Sequence, residues 1–274
     1  EDKAANKAAL YRFIWILEKQ TGAIMKNLAI IPLAIALSSF SVSADSKSDF
    51  KQAYNAYNQA VSQKDNDNTL KYASKALELG AKVFGDSSEN TANLAMNLGN
   101  AAKAVSKPDE AIKAFQTAYD VLLRIHGENA AQLANPLLAL ARTFNPKKLN
   151  SADKYLKKLE QLADALVDTN PTTAATIYFE TAVTSLDKDR TRKNRNLLQL
   201  ANDLYSKHDK ETSYRRNETK FWLGKSHLAF GNEEEAIVLF SEVVDAFDAA
   251  NRGDHELALS SRAFLVQAYE KSGE

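Results

Sequence analysis

The chain contains no cysteine. That absence excludes disulfides, thiol nucleophiles, iron–sulfur clusters and cysteine-ligated zinc. Glycine and proline are scarce, at 9 and 5 in 274 residues, which excludes a collagen-like chain. Neither sign of charge is in excess, because 35 Lys and Arg face 35 Asp and Glu. A dedicated nucleic-acid binder would show a basic surplus. No Gly-x-Gly-x-x-Gly, Gly-x-x-x-x-Gly-Lys-Ser/Thr or Gly-x-Ser-x-Gly motif occurs. The four histidines, His126, His208, His227 and His255, have no second His or paired carboxylate at metal-ligand spacing. Neither a cofactor nor a metal is expected. Apolar residues make up 45 % and charged residues 26 %, as in ordinary globular chains. Ala, Leu, Lys and Glu dominate, so the expected fold class is all-α.

The first Met is Met25, and it opens a stretch with the form of a secretory signal. Lys26 supplies the positive n-region, and Leu28 to Leu37 form the apolar segment. Val42-Ser43-Ala44 places small residues at −3 and −1 of a cleavage site. The apolar run is shorter than the ~20 residues a membrane span needs. Residues 1–24 are expected to be an upstream leader, 25–44 a cleaved signal peptide and 45–274 the folded domain. An exported, cysteine-free protein of this kind suits a periplasm, with no stable transmembrane span after cleavage.

A repeat of about 42 residues organises the remainder. Gly85 and Gly127 stand 42 apart, as do Leu98 and Leu140, Ala76 and Ala118, Leu223 and Leu265, and Gly231 and Gly273. The middle keeps register with one residue missing near Asn145 to Asn150. Units begin near Phe50, Ala92, Ala134, Ala175, Asn217 and Leu259. Breaker and capping signals mark helix starts at Asp86-Ser87-Ser88, Pro108-Asp109-Glu110, Asn170-Pro171-Thr172 and Gly231-Asn232-Glu233. Small Gly99 and Ala111, or Gly224 and Ala236, let two helices approach closely, and Phe115 and Phe240 are expected to fill the gap to the next unit.

Leu98-Gly99, Ala102, Ala111, Phe115 and Ala118 form one clear unit, and Leu223-Gly224, His227, Gly231, Ala236, Phe240 and Val243 another. These residues resemble the tetratricopeptide repeat (TPR) pattern. The length of the unit resembles the longer repeat of kinesin light chains. The resemblance implies a right-handed TPR-like α-solenoid of about eleven antiparallel helices, six first and five second. The array stops mid-unit, and α-helical apolar residues Leu257, Leu259, Phe264 and Val266 near its end suit a further covering element.

In TPR arrays the first helices line a concave face, and family analogy puts positions 2, 5 and 9 of each unit on it. Those positions are Lys51, Tyr54 and Asn58 in the first unit, then Asn93, Met96 and Asn100 in the second. The third offers Asn135, Leu138 and Arg142, and the fifth Glu218, Phe221 and Lys225. This set suits a protein or peptide partner, since Asn both donates and accepts hydrogen bonds. Met96 and Phe221 stand where a carboxylate-clamping TPR has Lys, so that clamp is not expected. Asp65-Asn66-Asp67-Asn68 lacks the oxygen ligand and turn Gly of a calcium loop and is expected to cap a helix from Thr69. The basic clusters Lys188, Arg190, Arg192, Lys193, Arg195 and Lys207, Lys210, Arg215, Arg216 interleave with acids and read as solvated turns.

The ending Ala-Tyr-Glu-Lys-Ser-Gly (268–273), with export and repeats, resembles the N-terminal part of TonB-type energy transducers. That resemblance implies a docking arm in envelope transport. The expected function is a non-catalytic periplasmic scaffold. The alternative is a cell-wall accessory protein or hydrolase, although Glu218 is the one acid among the groove positions and no carboxylate pair is evident.

Overall fold

A computed structural model describes residues 44–143, 149–185 and 191–273. The leader and signal assignments over 1–43, and Lys188 and Arg190, lie outside the described residues. Within them there are eleven α-helices and no strand. They are α1 (Ala44–Ser62), α2 (Asn66–Phe84), α3 (Glu89–Ala104), α4 (Pro108–His126), α5 (Ala134–Thr143), α6 (Leu149–Leu166), α7 (Pro171–Thr184), α8 (Thr191–His208), α9 (Tyr214–Ala229), α10 (Glu233–Ala249) and α11 (Glu256–Ser272). A 3-10 turn at Ala131–Leu133 precedes α5.

The helix starts follow from side chains that capture unpaired amides. The Asp65 carboxylate accepts from the Asn68 amide at 3.0 Å, so α2 starts at Asn66 and not at Thr69. Ser88 accepts from Thr91 at 3.1 Å, Asn170 from Thr173 at 3.3 Å and Ser213 from Arg216 at 3.5 Å. His255 caps α11 through Nδ1, which accepts from the Leu257 amide at 3.1 Å. Pro108 and Pro171 open α4 and α7, where a missing N–H costs nothing.

Three of the turns that join a first helix to its second, those among the described residues, use a left-handed residue. Lys64 (φ 57°), Ser106 (φ 59°) and Gly231 (φ 73°) hold this place. Only the last is a glycine.

Contacts divide the chain into two compact units, one ending at Ile125 and the other beginning at His126. In the first, α2 packs on both α1 and α3, with Phe50, Ala76 and Leu94 at the centre. The Phe115 ring of α4 lies against Gly99 of α3, where a methyl group would stand 2.3 Å from the ring. Phe115 therefore packs within its own helix pair. Such a fully buried aromatic side chain contributes roughly 1.5–3 kcal/mol.

In the second unit each helix from α5 to α11 packs on the next, and α5 also touches α7, as α9 touches α11. First helices thus run beside first helices. Phe240 of α10 repeats the aromatic-on-glycine packing against Gly224 of α9, less tightly, with a methyl 3.0 Å from the ring.

Candidate partner-binding faces

On the first unit, α3 presents Asn93, Met96, Asn97 and Asn100 at helical spacing, which puts all four on one stripe. Met96 and Asn97 are buried, while Asn93 and Asn100 are half-buried. On α1, Tyr54 stacks between Phe50 at 5.8 Å and Tyr57 at 5.9 Å, and Asn58 lies one turn on from Tyr54. Tyr54 and Asn58 are half-buried and Lys51 is exposed. Burial pushes the Tyr57 hydroxyl up to about 12, so the aromatic ladder stays uncharged across ordinary pH.

On the second unit, four charged side chains form one chain of ion pairs across three first helices. Arg142 of α5 donates through Nε to the Thr184 hydroxyl at 3.1 Å and through Nη2 to Glu180 of α7. The other Glu180 oxygen accepts from Arg215 Nη1 of α9 at 3.2 Å. The same Nη1 lies 3.0 Å from Glu218, one turn further along α9. The guanidinium of Arg215 also sits over the Phe179 ring, 5.3 Å from its centre. The glutamate side chains are only 9 % and 11 % exposed, and the arginines 30 %.

Burial dominates the chemistry of Glu218. It pushes the carboxyl up to about 7, against the pull of Arg215, while Glu180 adds repulsion. Burial works against the charge of Arg215 as well, but Glu218 and Glu180 outweigh it and hold its pKa above the ordinary arginine value. Tyr214 hydrogen-bonds Glu218 and is itself pushed up to about 12, mainly by burial.

Two turns beyond Glu218, Lys225 sits among rings. Its ammonium is 4.5 Å from the centre of Trp222, 4.9 Å from Phe264 and 5.4 Å from Phe221. The residue is partly exposed, but desolvation of the ammonium lowers its pKa to about 7. Phe221 is buried against Trp222, Phe240 and Phe264. Leu138 is buried on α5, whereas Asn135 and Arg142 are exposed at either end of that helix.

The structure thus brings Arg142 and Glu218 of the groove positions into one cluster and adds Glu180 and Arg215. The cluster Lys207 to Arg216 is not a solvated turn throughout. Ser213 caps α9, so Arg215 and Arg216 occupy its first turn, and Arg216 donates to the Asp209 carbonyl at 3.1 Å. Ser213, a residue type favoured at helix N-caps, was the available signal. Glu180 lay in a degenerate repeat and gave none. In the other cluster, Lys193 pairs with Glu160 at 2.6 Å, and Arg195 lies 4.5 Å from the Phe230 ring centre. His227, expected to pack, is half-buried with Nδ1 3.3 Å from Asn232 Nδ2.

Among the described residues, no group of three or more His, Asp or Glu side chains could hold a metal ion, and no helix is long and apolar enough to cross a membrane.

The tetratricopeptide repeat family matches residues 59–123. No curated protein matches the chain. Among solved structures, the chain is similar to the nearly identical kinesin-light-chain TPR-like repeats from Podosopora anserina, with 14 % identity, 75 % of this chain and 96 % of that chain covered, and a TM-score of 0.57. It is also similar to BtubC (BKLC) from P. vanneervenii, with 12 % identity, 76 % and 93 % coverage, and a TM-score of 0.52. The fold is therefore TPR-like, and the repeat family itself is matched from the end of α1 into α4.

Proposed function

We propose that the chain is a non-catalytic scaffold whose first-helix faces bind an extended segment of another protein. One observation carries this reading. Asn58, Asn93 and Asn100 are half-buried on first helices, and none makes a side-chain hydrogen bond among the described residues. Each amide keeps donors and an acceptor available, the chemistry that a peptide backbone matches.

The periplasm is the proposed location, and it rests on the Met25 to Ala44 pattern. A place beside TonB-type envelope transport rests only on the resemblance at 268–273. The hydrolase alternative gains nothing from the Glu180–Glu218 pair, because both carboxylates are engaged by Arg215.

The test places a photo-crosslinking amino acid at Asn93 or Asn100, with Lys113 on the second helix α4 as control. Irradiation in an envelope extract should join a partner to the Asn93 and Asn100 variants. Equal crosslinking from Lys113 would reject the groove.

A further inference from the structure

Glu218 and Glu180 compete for one guanidinium. Glu180 is held by two arginines, Arg142 and Arg215, on opposite sides. Glu218 has Arg215 and the Tyr214 hydroxyl. Glu218 is thus the more weakly held of two nearly buried carboxylates. With Glu218 ionised, two arginines balance two glutamates. With it protonated, the cluster carries one surplus positive charge beside two arginines that are each about one-third exposed.

From this geometry we infer that Glu218 is an internal stand-in for a partner's carboxylate, so that an acidic peptide segment binds Arg215 and Arg142 in exchange for proton uptake by Glu218. The inference rests on the first-helix face being the partner surface. The proton comes from solvent and neutralises the Glu218 carboxylate. The carboxylate of the incoming segment then takes the vacated hydrogen bond of Arg215, a charge-assisted contact.

The surroundings of Glu218 support this assignment. From α7 comes Glu180, which repels it. From α8 comes Tyr205, uncharged because burial pushes it up to about 12 and bonded at 2.8 Å to Thr176. Asp209, just beyond α8, acts on Tyr205, and its carbonyl holds Arg216. From α11 come Glu256, which acts on Tyr214, and His255, 5.8 Å from the Tyr214 ring. From α10 comes Glu242, already paired with Lys220 at 2.7 Å. None of these supplies a second cation to Glu218. Its carboxyl stands at about 7, so the exchange falls at physiological pH.

The probe is fluorescein-labelled hexaglutamate with an amidated C-terminus, and amidated hexaglutamine is the control. Binding to the full chain is followed by fluorescence anisotropy at about pH 6 and about pH 8, where the peptide stays ionised. If only the protonated form of Glu218 admits the peptide, affinity should be about tenfold higher at the lower pH. Glu218→Gln should bind tightly at both pH values, and Arg215→Gln should lose binding at both. Equal affinity at the two pH values in the unmodified chain would overturn the inference. So would an unaltered pH dependence in Glu218→Gln, or hexaglutamine binding as well as hexaglutamate. Should either variant lose helical circular dichroism, calorimetry of the unmodified chain in MOPS and imidazole buffers decides. Net proton uptake near neutral pH is expected, and zero uptake overturns the exchange. No hexaglutamate binding at either pH refutes this inference alone, while crosslinking that fails to distinguish Asn93 and Asn100 from Lys113 refutes the partner-face reading.

Discussion

The ring of Phe115 rests directly on Gly99, leaving no room for a β-carbon: one placed there would lie 2.3 Å from Cε1 of the ring. Gly99→Ala should destabilise the first unit by about 1–3 kcal/mol through overpacking, more than alanine's better helix propensity recovers. Gly224→Ala, where the gap to Phe240 is 3.0 Å, should cost less. Urea unfolding of both variants checks the order, and equal losses would reject the steric account.

Two groups with opposite shifts predict a stability minimum near neutral pH. Glu218 has its folded pKa raised to about 7 from 4.5, so the stability it lends is full below about 4.5 and lost as pH rises through 7. Lys225 has its folded pKa lowered to about 7 from 10.5, so its share is lost as pH falls from 10.5 through 7. Melting temperatures at about pH 5, 7 and 9 should therefore dip in the middle. Glu218→Gln should remove the acid-side fall and Lys225→Met the alkaline-side rise. A monotonic profile in the unmodified chain would show that at least one of the two groups does not titrate as its burial requires.

Lys64 and Ser106 pay for a left-handed backbone that Gly231 adopts freely. Ser106→Gly and Lys64→Gly should each stabilise the first unit by about 1 kcal/mol, read as a higher melting temperature. The same change at an exposed mid-helix position such as Lys113 should destabilise by a similar amount.

Trp222 can report on its neighbour. The chain has 2 tryptophans, so Trp15→Phe leaves Trp222 as the sole emitter. Its ring is 4.5 Å from the Lys225 ammonium. Emission should titrate with a midpoint near 7 and become flat in Lys225→Met. A transition that survives Lys225→Met would assign it to another group.

Much of the architecture was legible because local signals agreed with one another. Pro108, Asn170-Pro171 and Ser88 each mark a helix start that the backbone takes. Gly99 and Gly224 announce close approach, and both are covered by a ring. The expected reach of Phe240 to the next unit is present too, because its ring stacks on Phe264 of α11 at 5.6 Å. The charge relay, by contrast, was hidden. Arg215 and Glu180 are 35 residues apart and belong to separate repeats, so no local window contains the pair. Arg215 looked like part of a basic turn because its repeat unit was taken to begin at Asn217, three residues after the helix starts at Tyr214. Correcting the start to Tyr214, after Ser213, turns the same arginine inward.

The relay also alters how the second unit should respond to load. In a stack where each helix grips only its sequence neighbours, a pulled end peels away one helix pair at a time. Arg142, Glu180 and Arg215 instead rivet α5, α7 and α9 across the intervening second helices. Tension applied at the C-terminus would meet a crossbar there, and rupture of α7 to α9 should come as one larger step instead of a series of small ones.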